Sequence, residues 1–180
     1  MKKNRILRLV LSAMFLAIGF VLPFLTGQIP EVGSMLLPLH LPALICGFVC
    51  GWPWGLAVGI VLPIVRSLLF GMPPMIPTAL CMAFEMGAYG AAAGWLYQRL
   101  SHRATGVYAS LIGAMLIGRI VWGVASWAVY ALLTPNSFAI AAFWMGGFVN
   151  AWPGILLQLV LVPIIVLALQ KARLIPLKND

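Results

Sequence analysis

Glu85, Arg66, Arg119, His40 and Asn150 interrupt stretches of sequence that are otherwise almost wholly apolar. A charge held at bilayer depth is costly and is usually kept for function. A carboxylate near guanidinium groups can do two things: neutralise its partners, or join them in holding the polar edge of a small ligand through charge-assisted hydrogen bonds. Which of these applies depends on whether the residues share a depth. That in turn depends on the helices that carry them.

The surrounding composition defines the class of protein. The chain has 180 residues, of which 63% are hydrophobic and only 8% charged. A soluble domain is about 45–50% apolar and about 25% charged, so too little polar surface is present to cover a globule. An all-α integral membrane protein with a single bundle is expected from this length. The net charge of +8 lies at segment ends, as the positive-inside rule requires. No basic stripe with interleaved aromatics points to nucleic acid. Cys46, Cys50 and Cys81 fall within apolar runs and read as small packing residues. The run from Ile6 to Leu25 is as long as a full span, and Leu22-Pro23-Phe24 is a poor cleavage site. The first segment is therefore expected to be a retained helix rather than a signal peptide.

Membrane-crossing helices need about 20 apolar residues, and six spans are expected, over residues 6–24, 36–50, 54–70, 78–97, 105–132 and 147–169. Gly51-Trp52-Pro53-Trp54-Gly55 separates the second from the third, and the prolines of Gly71–Pro77 break the chain again. A short surface helix is expected around Phe138 to Met145. The apolar, proline-rich region of the second and third spans also permits five spans with one re-entrant segment. Lys2, Lys3, Arg5 and Arg8, then Arg99 and Arg103, then Lys171, Arg173 and Lys178 fall on one side of a six-span arrangement. That side is expected to be the cytoplasm, with both termini on it.

Counting about 1.5 Å per residue from the outer helix ends places Arg66 roughly 6 Å deep, Glu85 roughly 10 Å and Arg119 roughly 10–20 Å. His40 and Asn150 lie near the outer ends of their spans, and Gln158 near mid-depth. The inner half holds almost nothing polar, so the pattern is a pocket open to the outside. Glu85 facing two arginines leaves a surplus of positive charge suited to an anionic or strongly hydrogen-bonding ligand. The alternative is a structural pair that only fixes helix register. Arg66 is close enough to a helix end to snorkel to the interface, and His40, between Pro38 and Pro42, equally suits a local bond that satisfies a kinked helix. Trp122, three residues from Arg119, shares its helix face and can stack on a flat ring. Trp127, Tyr130, Trp144 and Trp152 suit an interfacial belt. Met72 and Met75 form either a lid or an ordinary connection. Ala13 and Ala17, four apart, allow close helix approach in lipid.

A basic start, Ala13-x-x-x-Ala17 in the first helix, six spans in 180 residues and an outward pocket together resemble the substrate-binding S component of energy-coupling factor (ECF) vitamin transporters. Leu37-Pro38-Leu39-His40-Leu41-Pro42, Gly51-Trp52-Pro53-Trp54-Gly55 and Arg66-Ser67-Leu68-Leu69-Phe70-Gly71-Met72-Pro73-Pro74 carry the same resemblance. It implies that Ala13 and Ala17 face a membrane-embedded T subunit joined to two cytoplasmic ATPases. It also implies a ligand site holding Glu31, Met72, Met75, Glu85, Arg119, Trp122, Trp144 and Asn150. The expected ligand is a water-soluble vitamin or precursor: a pyridoxine-like or pyrimidine ring, pantothenate, niacin or a queuosine precursor. A metal-ion member would begin with a His-rich segment, and this chain begins Met1-Lys2-Lys3-Asn4, so no metal and no cofactor are expected. The protein is expected in the bacterial plasma membrane as a multi-pass binding subunit.

No G-x-x-x-x-G-K-[ST] motif is present to hydrolyse ATP, and neither H-E-x-x-H nor G-x-S-x-G supplies a hydrolase centre. No enzymatic activity is expected. The rival reading is a stand-alone secondary transporter or channel, but related halves and mid-membrane helix breaks are not evident.

Overall fold

The first helix, α1 (Lys2–Leu25), follows from an apolar run without glycine until Gly19 and with its only proline, Pro23, in the last turn. A computed structural model describes residues 2–25, 35–133 and 143–172. Every regular element among them is helical. After α1 come α2 (His40–Cys50), α3 (Trp52–Phe70), α4 (Leu80–Arg99), α5 (Ala104–Leu133) and α6 (Trp152–Lys171). A kinked segment, Met75–Ala79, with Ile76 extended (φ −118°, ψ 129°), and a wide turn, Met145–Val149, lead into α4 and α6. The membrane bundle expected from composition is thus an all-helical one.

Helices long and apolar enough to cross a membrane cover Arg5–Phe24, Trp52–Phe70, Ala104–Leu133 and Met145–Lys171. The second helix is shorter than the expected segment from residue 36. Leu37 adopts a φ of 50°, a left-handed conformation that no helix interior tolerates, so α2 begins only at His40. Its 11 residues rise roughly 17 Å, against a hydrocarbon thickness of about 30 Å. All of them are buried. A helix enclosed by its neighbours need not match the membrane, and α2 packs against α1, α3, α4 and α6.

Tight backbone contact holds the centre together. A Cβ on Gly55 would lie 2.5 Å from the Gly90 carbonyl oxygen and 2.7 Å from the Gly47 Cα. Gly47 is equally closed by the Gly90 backbone, and Gly90 by that of Gly55. Three helices therefore meet with no side chain between them, the small-residue packing that replaces hydrophobic drive within lipid. Gly51, at φ 94°, turns the chain from α2 into α3, and only glycine does so without strain.

One end of the bundle carries Arg99, Arg103 and Lys171. Near it, the Gln170 amide donates to the Tyr97 hydroxyl and, at 3.0 Å, to the His102 carbonyl. This ties α6 to the end of α4 and the turn after it.

Candidate functional site

Glu85 lies in the second turn of α4, away from that basic end, and is only 2% exposed. Arg119 reaches it from α5 and donates Nη1 to Glu85 Oε1 at 2.7 Å, with both side chains shielded from solvent. From α2, His40 brings Nε2 to 3.4 Å from Glu85 Oε2. That contact is close but not aligned as a hydrogen bond, and neither ring nitrogen has a hydrogen-bond partner among the described residues.

Helical spacing adds a fourth group. Tyr89, one turn beyond Glu85 on the same face, sets its ring edge-on to His40 with centroids 5.3 Å apart. Gly118 of α5 admits that ring, since a Cβ there would run into it. The Tyr89 hydroxyl lies within electrostatic reach of both Glu85 and Arg119, without a hydrogen bond of regular geometry to either. Arg119 Nε and Nη2 are likewise open. They form the side-on edge of the guanidinium, a planar two-donor fork. Buried polar atoms without partners cost about 1–3 kcal/mol each and are rare in folded proteins. Here they are concentrated around one ion pair.

An aromatic cover adjoins this cluster. The Arg119 guanidinium is 6.0 Å from the Trp122 ring centroid, at the outer limit of a cation–π contact. Phe143 stacks on Trp122 at 5.8 Å and 25°. Gly147, in the turn before α6, passes so near that a Cβ would lie 3.3 Å from Trp122 and 4.0 Å from Arg119 Cδ. The chain entering α6 thus lies directly against the side chains presented by α5.

The other residues singled out from the sequence fall elsewhere. Arg66 is buried but turned away: its Nη1 donates to the Phe20 carbonyl at 2.9 Å, and its guanidinium sits 5.5 Å and 5.2 Å from the rings of Phe24 and Phe70. Pro23 has no N–H to complete the final turn of α1, and Arg66 ties that turn to α3. Asn150 and Trp144 are exposed, Trp144 edge-on to Phe143 at 5.8 Å. Met72 is exposed and Met75 half-buried. Glu31, most of the expected surface helix and the basic residues after Ala172 lie outside the described residues. Ala13 and Ala17 are both exposed on α1, opposite the buried Ser12, Phe15 and Gly19. Cys46 and Cys50 are free thiols, and Cys46 lies 3.6 Å from Ser12 Oγ. No group of His, Cys, Asp or Glu among the described residues is placed to hold a metal ion.

Tyr89 and Phe143 were not singled out from the sequence. The signal for Tyr89 was its one-turn spacing from Glu85. Nothing in the local sequence marks Phe143.

The described residues form an all-helical bundle with apolar helices long enough to cross a membrane and a buried polar cluster. The family described as "ECF transporter, substrate-specific component" matches residues 7–166, and the chain belongs to that family. Members are substrate-specific subunits of transporters, not enzymes. No curated protein and no solved structure matches the chain.

Proposed function

We propose that this subunit binds a water-soluble vitamin or vitamin precursor in the layer formed by His40, Glu85, Tyr89 and Arg119. The observation that carries the reading is the set of open, buried polar atoms on three helices around one ion pair. A purely structural pair would be expected to satisfy its neighbours, because a partly satisfied buried network is worse than an apolar core. Trp122 and Phe143 supply a flat apolar wall beside the charges, and Met72, Met75, Trp144 and Asn150 belong to the outer rim. Glu31 is assigned to the same rim by resemblance to the family. Arg66 acts from outside the layer, holding α1 to α3 beside the pocket.

In this reading the basic end faces the cytoplasm, following the positive-inside rule, and the ligand enters from the opposite side of a bacterial plasma membrane. Among the described residues, the glycine-packed half beneath the layer carries no continuous polar path. Inward release therefore requires the whole subunit to reorient with a T subunit and two ATPases. The exposed face of α1 bearing Ala13 and Ala17 is the docking surface. Small side chains there permit the close helix approach that association in lipid depends on.

Affinity purification of the tagged chain from its native membranes tests this assignment. The expected co-purifying proteins are one integral membrane subunit and two ATPases, lost in Ala13→Leu/Ala17→Leu while the chain remains folded. Retention of all partners by that variant would remove α1 as the docking face. Purification of the chain with none of them would contradict the proposed assembly.

A further inference from the structure

Gln158 is fully buried in α6, and neither its Oε1 nor its Nε2 has a hydrogen-bond partner among the described residues. Two landmarks set its height. Gly154, one turn earlier on α6, abuts the chain entering α2: a Cβ there would lie 2.6 Å from the Met35 carbonyl oxygen. One turn deeper on the same face, Gln158 falls on the side of α6 that packs against α2, the helix that begins at His40. From the other end, Gln170 is bonded to Tyr97, and Gln158 lies roughly 18 Å further along α6. Glu85 lies the same roughly 18 Å along α4 from Tyr97. Gln158 and Glu85 thus share one layer.

We propose that Gln158 is a specificity-determining residue that reads an amide edge, a carbonyl beside an N–H, on an uncharged ligand. This rests on the reading of the Glu85 layer as the substrate site. The free primary amide offers one donor and one acceptor side by side, the complement of a ring lactam, an imide or a carboxamide. The Arg119 fork donates to the same ligand's carbonyl. Charge argues in the same direction. Glu85 and Arg119 neutralise each other, and Arg66 is committed to Phe20, Phe24 and Phe70. Among the described residues no further Lys or Arg is placed in this layer to offset a carboxylate, and an uncompensated buried anion carries a heavy desolvation penalty. Arg66, the source of the surplus positive charge expected from the sequence, is engaged with Phe20, Phe24 and Phe70 instead.

The test is thermal unfolding of the purified full-length chain in detergent micelles, titrated with uracil, nicotinamide, orotate and nicotinate. Each acid shares its ring with one neutral amide. At least one neutral compound should raise the midpoint, and neither acid should. Gln158→Leu, which removes two orphaned polar atoms at similar volume, should unfold no lower than the parent without additive. It should require roughly tenfold more of the stabilising compound, the effect of about one lost buried hydrogen bond. Gln158→Met serves if the leucine variant does not purify.

Stabilisation by an acid, by none of the four compounds, or equally in the Gln158 variant would overturn the proposal. An unchanged Gln158 response alongside a weakened Glu85→Gln response would sink only the role of Gln158. Unchanged responses in both would sink the substrate site as well.

Discussion

Two halves of the same helices are built on opposite rules. Toward the basic end, Gly47, Gly55 and Gly90 bring three backbones into direct contact. Tyr89 directly precedes Gly90 on α4, and from there to Glu85, about one and a half turns from Gly90, the two meet His40 and Arg119, and buried polar atoms are left unpaired. The first region gains stability from close packing and has no chemistry to offer. The second gives up stability to keep hydrogen-bonding groups available in a setting of low dielectric, where each is strong. In the proposed reading the glycine-packed half is the rigid support and the polar layer the recognition surface. Reorientation as one body, as proposed, needs the first to carry the second.

Substitutions can break that contrast from either side. Arg119→Met should have the largest effect, because it strands Glu85 as an unpaired buried charge. A loss of about 3–5 kcal/mol is expected, read as a lowered thermal midpoint and recovered in part by adding Glu85→Gln. An unchanged midpoint would mean the pair is not held as described. Gly90→Ala should cost about 1–3 kcal/mol through overpacking against the Gly55 backbone. Ligand affinity per folded molecule should remain at the parental value, and reduced affinity in the folded fraction would show that the two halves are not separable. Trp122→Leu should be mildest, weakening binding by about 0.5–1 kcal/mol, a few-fold in Kd, with stability unaltered. A large stability loss would make Trp122 a packing residue instead.

Much of the fold class could be read from the sequence, and the reason is physical. Lipid penalises polar groups strongly enough that Glu85 and Arg119 stand out from their surroundings, and helical rise converts their position into depth. The count along a helix gives height but not direction around the axis. Arg66 therefore looked like a neighbour of Glu85, whereas its side chain faces Phe20, Phe24 and Phe70. The start of α2 was misplaced because an apolar run through Leu36, Leu37 and Leu39 gives no sign of the φ reversal at Leu37. Tyr89 was hidden among the small and aromatic residues of α4. Phe143 meets Trp122 only through tertiary packing, which no spacing within either segment encodes.

The central claim is that the Glu85-centred layer holds the transported substrate. Native mass spectrometry of the chain purified from its own membranes, beside Glu85→Gln, addresses it most directly. The account expects a single small-molecule adduct on the parent protein, absent or strongly depleted on a folded Glu85→Gln variant. Equal adduct occupancy on both proteins would contradict it.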